Sequence, residues 1–292
     1  MDNSDILPDN QSVEASFGIK EDWQHFSKTH QVLLRKLPLL FKTFERVFLR
    51  RMETTEPADR VIYFLGRVAM EDFMEIVLLC GNGYGVGALK ILRGLYERAV
   101  TAAYLAKYPQ EVDSFLEYHH VHMGKLLNHT AELFDVRRIF PEDKLAEIRA
   151  NYEQAKPRFQ EPLCKTCGTT RTQFSWSKLD IGAMAKKGDE YLAKLYLTCY
   201  FLPTLKAHST LHALSTQAKP CDNGGLTFDD GAQREHSDEA FRAAHLTMLI
   251  ALGTQNRHFK LGLNEELGER RGEFAEAWGQ PPEDVTADSP PK

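Results

Sequence analysis

Apolar residues recur every three or four positions along most of this chain. Between residues 89 and 104, for example, Leu89, Leu92, Tyr96 and Val100 follow one another at helical spacing. Alternation of apolar and polar residues over the length of a strand is hard to find. The pattern therefore predicts an all-α fold, a multi-helix bundle with less than about a tenth of its residues in strands. The predicted helices cover residues 20–52, 57–80, 84–107, 109–136, 141–157, 188–218, 237–262 and 264–277.

One of these helices contains a proline. Pro203 lies inside the periodic run 188–218, and it removes a backbone donor there. We therefore expect a single helix that is kinked at Pro203. The segments 158–187 and 219–236 are predicted to be irregular.

The two ends of the chain differ from its middle. Residues 1–18 are polar with few apolar anchors, and residues 279–292 are rich in proline and acidic residues. No Pro/Gly/Ser-rich linker divides the rest. The expected organisation is one helical domain over residues 19–278 between two disordered segments, 1–18 and 279–292.

Charge and composition limit the classes of function. A net charge of -5 and a pI near 6.1 provide no overall attraction to nucleic acid or to anionic lipid, although a local basic patch is compatible with them. The N-terminus is acidic and polar, and no apolar run approaches about 18 residues, which predicts a cytoplasmic protein with no membrane partner. The 5 cysteines form an odd set without a secretory context, so free thiols are expected.

Arg93 and Glu97 interrupt an otherwise apolar helical face. They are four residues apart, so they lie one turn from each other on the same side of the predicted helix. We expect a buried or half-buried ion pair. Such a pair is costly unless it is fully hydrogen-bonded, so it indicates either a structural polar network or a functional pocket.

Four glycines, at positions 81, 83, 85 and 87, precede that helix. They resemble a phosphate-binding loop only superficially, because the strand that should come before such a loop is missing. A tight turn between two helices, in which glycine permits positive φ and close packing, is the favoured interpretation.

The pair Cys164-Lys-Thr-Cys167 has the spacing of half a zinc site or of a redox pair. No second Cys-x-x-Cys and no neighbouring histidine completes four ligands nearby in the sequence. The favoured interpretation is a loop with two reduced thiols, although Cys221 or a distant histidine could join them in three dimensions. No cofactor is predicted.

Two histidine pairs also suggest metal binding. His208 and His212 are four residues apart, but the glutamate of the zinc-peptidase pattern His-Glu-x-x-His is absent. Glu117 and His120 form one Glu-x-x-His pair, whereas a di-iron bundle needs two. Histidines bonded to polar neighbours are therefore favoured, and a metal site formed by His208, His212 and Glu97 or His120 remains an alternative.

The order of these features along the chain is more specific than any one of them. It resembles an uncharacterised bacterial helical family, a domain of unknown function whose members carry Arg-Ser-Leu-x-Glu, then Tyr-Leu and Pro, a Trp, and a late Tyr-Arg-x-x-Ser-x-x-x-His segment. The resemblance spans about residues 60–262. It rests on Arg93, Glu97, Tyr104, Pro109, Phe115, Tyr118, Trp176, Tyr191, Tyr196, Tyr200 and His208.

The late segment is similar in turn to the HEPN superfamily of helical nucleotide- or RNA-binding proteins. This similarity implies a HEPN-like core with additional helices, and a homodimer. HEPN ribonucleases carry an arginine a few residues before a histidine, and they cleave RNA without metal at a dimer interface. Here Phe201 stands where that arginine is expected and Thr204 replaces the usual serine, so the implied catalytic pair is broken.

Two functional hypotheses follow. The favoured one is a homo-oligomeric binding module, a defence- or toxin-like protein of the kind that acts against phage, which binds RNA, a nucleotide or a protein partner. The alternative is a metal-independent ribonuclease in which His208 is the general acid/base and Arg93 holds an anionic substrate. Both hypotheses place Arg93, Glu97 and His208 at one pocket, with Tyr104, His120, Tyr196, Tyr200 and His212 as further ligand-binding candidates.

Overall fold

The fold is known from a computed structural model, which describes residues 20–164, 167–208, 210–215, 218–228 and 233–279. The predicted N-terminal segment 1–18 and residues 280–292 of the predicted tail lie outside the described residues.

Helices dominate the described residues, which confirms the all-α prediction. The helices are α1 Lys20–Thr29, α2 Gln31–Phe48, α3 Pro57–Gly81, α4 Gly85–Lys107, α5 Val112–Leu133, α6 Glu142–Ala155, α7 Ile181–Gly188, α8 Glu190–Tyr196, α9 Leu202–Ala207, α10 Leu211–Ser215, α11 Glu235–Phe259 and α12 Asn264–Trp278.

Two small hairpins lie in the segments that were predicted to be irregular. Strands β1 (Gln160–Pro162) and β2 (Thr170–Thr172) pair antiparallel, with Gln160 opposite Thr172. Strands β3 (Ala218–Pro220) and β4 (Leu226–Phe228) form the second antiparallel pair. Each strand is three residues long, so neither hairpin changes the fold class.

The long helices α3, α4 and α11 form the centre of the molecule. Helix α4 is buried over much of its surface, because α3, α11 and α7 to α9 all pack on it. Gln255 of α11 donates a hydrogen bond to the carbonyl of Ile62 in α3 at 2.7 Å. Helices α2 and α12 pack against each other and against α11, while α5 and α6 pair and enclose small apolar clusters of their own.

The glycine-rich segment is a tight turn between α3 and α4, as predicted. Gly83 has a φ of +78°, which glycine adopts readily. Gly85 lies so close to the beginning of α11 that a Cβ there would come within 2.5 Å of the backbone nitrogen of Ser237. The glycines therefore permit close packing of main chains, in agreement with the favoured interpretation.

The prediction of one helix over residues 188–218 is wrong in its extent, because the helical run ends at Ala207. Helix α8 is followed by a π-helical turn over Leu197–Phe201, in which the N–H of Leu202 bonds to the carbonyl of Leu197. Pro203 then lies in the first turn of α9, where a missing N–H is tolerated. The chain accommodates the proline by this wider turn.

The same segment leaves the helix at His208, whose backbone is extended with φ -98° and ψ 159°. The hydroxyl of Thr210 accepts a hydrogen bond from the N–H of Ala213 and so caps the separate helix α10. This cap explains why His208 and His212 are not one turn apart on a continuous helix.

Elsewhere the predicted boundaries are mostly close. Predicted helix 20–52 is divided at His30 into α1 and α2, and predicted helix 109–136 begins with a short 3₁₀ turn before α5. Among the described residues, no helix has the length and apolar character that crossing a membrane requires.

Candidate functional site

The most connected polar group suggested by the sequence lies between α4 and the segment that contains the π-turn. The guanidinium of Arg93 donates hydrogen bonds from Nε to the Thr204 hydroxyl and from Nη2 to Oε1 of Glu97, both at 3.0 Å. A longer bond of 3.4 Å joins Nη2 to the Tyr200 hydroxyl. Three side chains therefore fix the orientation of the guanidinium.

The sequence explains this arrangement locally. Arg93 and Glu97 meet because residues four apart are neighbours on an α-helix. Tyr200 and Thr204 are also four apart, and the Thr204 hydroxyl donates a hydrogen bond to the Tyr200 carbonyl at 2.6 Å. The Thr204 hydroxyl thus connects the arginine on α4 to the backbone of the opposite segment.

Aromatic rings enclose one side of the arginine. Its guanidinium carbon lies 5.1 Å from the centre of the Tyr200 ring, within the range of a cation–π contact. The Tyr200 ring is 5.4 Å from the ring of Tyr196 and 6.1 Å from the buried ring of Tyr96. Burial raises the pKa of the Tyr200 phenol, and the hydrogen bond from Arg93 opposes that change. Tyr200 is therefore protonated at neutral pH.

The site is open to solvent. The side chains of Arg93 and Glu97 are 30% and 32% exposed, so this is a half-buried ion pair, one of the two arrangements expected from the sequence. Among the described residues, no side chain accepts a hydrogen bond from the Nη1 group of Arg93. Two N–H donors of this positively charged guanidinium are consequently available to a ligand.

A second ion pair lies beside the first. Arg98, the residue after Glu97, donates a hydrogen bond to the carboxylate of Asp72 on α3. Burial raises the pKa of Asp72 to about 6, and the neighbouring carboxylates of Glu75 and Glu71 add to this, whereas Arg98 lowers it. The sequence pattern does not predict this pair, because its two members lie on different helices.

A further cation lies on the same helix as Thr204. The half-buried Lys206 is 2.9 Å from the Nε2 atom of His236, at the beginning of α11. Burial lowers the pKa of Lys206, while Glu239 and Glu235 raise it. Lys206 is two residues from Thr204, so it points to a different side of α9 and contacts the beginning of α11.

His208 does not join this cluster. It is exposed at the end of α9, and among the described residues none of its contacts is with Arg93 or Glu97. His212 is exposed on α10. The geometry of a His208–Arg93 pair, which the ribonuclease hypothesis needs, is not found.

Two other candidates lie elsewhere. Tyr104 is buried, with its ring 4.9 Å from that of Tyr108 and 6.1 Å from that of Trp176. His120 is half-buried on α5, next to the ring of His119. Of the predicted ligand-binding residues, only Tyr196 and Tyr200 lie beside Arg93 and Glu97.

The metal hypothesis finds no complete ligand set among the described residues. The part of the chain that the structure describes contains no group of three or more His, Cys, Asp or Glu side chains placed to hold a metal ion. Cys164 and Cys167 lie together between β1 and β2, away from His208 and His212 in the sequence. The combined site of His208, His212 and Glu97 or His120 is therefore not formed by the described residues.

Thr204 is a site residue whose role the sequence does not predict. In the sequence it is only a departure from the serine of the resembled segment, yet its hydroxyl accepts a hydrogen bond from Arg93. The spacing does indicate that Thr204 lies on the same helical face as Tyr200, one turn later. What was missing was the register of this segment against α4, which the π-turn determines.

Comparison with protein families identifies the family of this chain. Residues 59–226 match a family described as a family of unknown function, DUF5677. This stretch includes Arg93, Glu97, Tyr200 and Thr204, and it begins where the resemblance was expected to begin. No curated protein and no solved structure was found to match the chain.

Proposed function

Because this chain belongs to DUF5677, a family of unknown function, we propose a function from its own geometry: it is a helical binding module that holds a phosphate-bearing ligand, RNA or a nucleotide, at Arg93. The observation that carries the proposal is the half-exposed guanidinium of Arg93, fixed by Thr204, Glu97 and Tyr200. Its Nη1 donors face no acceptor among the described side chains.

The chemistry of these groups suits a nucleotide. Arginine presents N–H donors in a planar fork that matches the oxygens of a phosphate. The half-buried rings of Tyr196 and Tyr200 lie beside it, and aromatic rings provide stacking surfaces for bases. A phosphate on Arg93 with its base on Tyr196 is the arrangement that uses these groups together.

The local charge also explains how an acidic protein binds an anion. The net charge of -5 gives no long-range attraction to nucleic acid. Recognition must then depend on a few oriented donors, and weak, salt-sensitive binding is expected. A single phosphate group, or a short single strand, fits such a site better than a long duplex.

The ribonuclease alternative gains no support from the arrangement of side chains. A general acid/base must lie within hydrogen-bond reach of the reacting group, directly or through one water. His208 is exposed at the end of α9, and the described residues place no histidine in contact with Arg93. The proposed activity is therefore binding, with hydrolysis as an outcome that the experiment must detect.

The experiment measures binding of a fluorescently labelled short single-stranded RNA, with unlabelled mononucleotides as competitors, at low salt and in the presence of a chelator. Arg93→Ala is compared with the parent protein and with Arg98→Ala. Arg98 is a matched control, because it lies on the same helix, is 34% exposed and pairs with a carboxylate.

We expect Arg93→Ala to weaken binding by roughly 10- to 100-fold, since a hydrogen bond to a charged group contributes about 1.5–3 kcal/mol. Arg98→Ala should retain affinity close to that of the parent. Equal losses in both variants, or no binding of either probe by the parent, would refute the proposal. Cleavage of the RNA in chelator would establish the ribonuclease alternative instead.

A further inference from the structure

The hairpin of β1 and β2 carries two cysteines at its turn. Cys164 and Cys167 follow β1, and neither is in a disulfide. The backbone N–H of Cys167 points at the sulfur of Cys164 at 3.4 Å, and Gly168, with φ +71°, follows directly. An N–H that donates to a cysteine sulfur stabilises the thiolate, the form of cysteine that binds metal.

This geometry differs from that of a redox pair. In redox-active Cys-x-x-Cys motifs the reactive thiolate is commonly stabilised by a helix N-terminus. Here the second cysteine is followed by strand β2, and the next helix, α7, begins only at Ile181. Two cysteines held on a hairpin turn correspond instead to half of a tetrahedral zinc site, which takes four ligands.

The residues that the structure describes do not supply the other half. All 11 histidines and all 5 cysteines lie among the described residues. The described residues nevertheless contain no group of three or more His, Cys, Asp or Glu side chains suited to a metal ion. A closed site at Cys164 and Cys167 therefore needs ligands beyond those that the described residues place around them.

The surroundings of the hairpin favour a second copy as the source. Cys167 is exposed and Cys164 half-buried, so the turn is accessible. Leu163, directly before Cys164, is 59% exposed, and Phe174, just after β2, is 80% exposed. Two large apolar side chains beside an accessible pair of thiols are suited to contact between identical surfaces, since a two-fold interface brings the same residues together.

We infer that this protein binds zinc between two copies of the chain, with Cys164 and Cys167 of each copy as the four ligands. Four thiols release their protons when the ion binds, and the resulting site is the closed Cys₄ type of structural zinc. The ion joins the two hairpins, and Leu163 and Phe174 of both copies become covered.

The test uses the full-length protein and zinc ions alone. Purified protein is saturated with zinc, and bound metal is measured together with molar mass by light scattering, before and after treatment with a chelator. The variants are the double substitution Cys164→Ser/Cys167→Ser and the control Cys221→Ser. Cys221 is a matched control because it is half-buried and follows β3 of the other hairpin.

We expect one zinc ion per two chains, a molar mass twice the monomer value of 33.3 kDa, and return to monomer in chelator. The double variant should lose the zinc and the dimer while keeping its helical circular dichroism spectrum, and Cys221→Ser should match the parent. When cobalt replaces zinc, the parent should show the strong absorption of thiolate ligands, and the double variant should not.

Several results would overturn the inference. One zinc ion per monomeric chain would place the remaining ligands in the same chain. A protein that takes up no zinc and is lighter by two hydrogens, with Cys164 and Cys167 disulfide-bonded, would identify a redox pair. A dimer that resists both chelation and the double substitution would show that the interface lies elsewhere.

Discussion

The Nε–H of Arg93 donates a hydrogen bond to the hydroxyl of Thr204, 111 residues further along the chain, at 3.0 Å. Because Thr204 also bonds to the carbonyl of Tyr200, its hydroxyl connects α4 to the π-turn segment. The orientation of the arginine thus depends on a residue that lies far away in the sequence.

Replacing that hydroxyl should have a measurable cost. Thr204→Val keeps the shape of the side chain but removes its bonds to Arg93 and Tyr200, so we expect the free energy of unfolding to fall by about 1–2 kcal/mol. Thr204→Ser retains the hydroxyl and should lose less. Urea denaturation followed by circular dichroism measures both, and equal stability of Thr204→Val and the parent would contradict the structural role assigned to this bond.

The buried hydroxyl of Tyr96 permits a similar test. It donates a hydrogen bond to the carbonyl of Leu192 at 2.6 Å. Tyr96→Phe leaves that carbonyl without its partner, and we expect a loss of about 1–3 kcal/mol in the free energy of unfolding. The control Tyr84→Phe alters a side chain that is 41% exposed and should change stability by less than about 0.5 kcal/mol. A similar effect of the two substitutions would argue against the packing of α8 on α4.

Close packing at the glycine turn predicts intolerance of a methyl group. A Cβ at position 85 would come within 2.6 Å of the carbonyl oxygen of Gln233, so Gly85→Ala should destabilise the protein by about 2 kcal/mol or more. Gly272→Ala is the control, since a Cβ there meets no atom within 4 Å and alanine favours the helix by about 0.5–1 kcal/mol. Thermal unfolding should therefore shift in opposite directions, and a neutral Gly85→Ala would disprove this contact.

The burial of His245 should make the stability of the fold sensitive to acid. It is buried between the rings of Phe73 and Phe274, and burial lowers its pKa to about 3. An unfolded chain binds a proton at this histidine near pH 6.5, so stability is fully present above that pH and declines as the pH falls from 6.5 toward 3.

The measurement is the free energy of unfolding as a function of pH. His245→Gln should flatten this dependence below pH 6.5, even where it lowers stability overall through loss of the bond from Trp278. An unchanged slope in the variant would show that other groups determine the response to acid.

Much of the fold could be predicted from periodicity. The predicted bounds of α3, α4 and α12 differ from the observed ones by a residue at most, because each is a long amphipathic segment with a local signal at one end. Pro57, for instance, lies at the beginning of α3. The fold class was predictable for the same reason.

The site was predictable only where its members share a helix. Arg93 and Glu97 pair as expected, since a spacing of four fixes their contact. The expectation that His208 joins them required a continuous helix across residues 188–218. The chain leaves the helix at His208, and the hydroxyl of Thr210 caps a separate helix. The spacing of apolar residues does not show where such a cap interrupts a helical run.

The π-turn between α8 and α9 determines which residues of this segment point toward α4. Leu192 and Thr204 both meet α4, where their partners are Tyr96 and Arg93. In an uninterrupted α-helix these two residues would point about 120° apart, since each residue advances the helix by about 100°. The π-turn contains one more residue than an α-helical turn, so the directions of Leu192 and Thr204 differ by only about 20°. Deleting one residue from 197–201 would therefore rotate Thr204 away from Arg93 while leaving every residue of the site present.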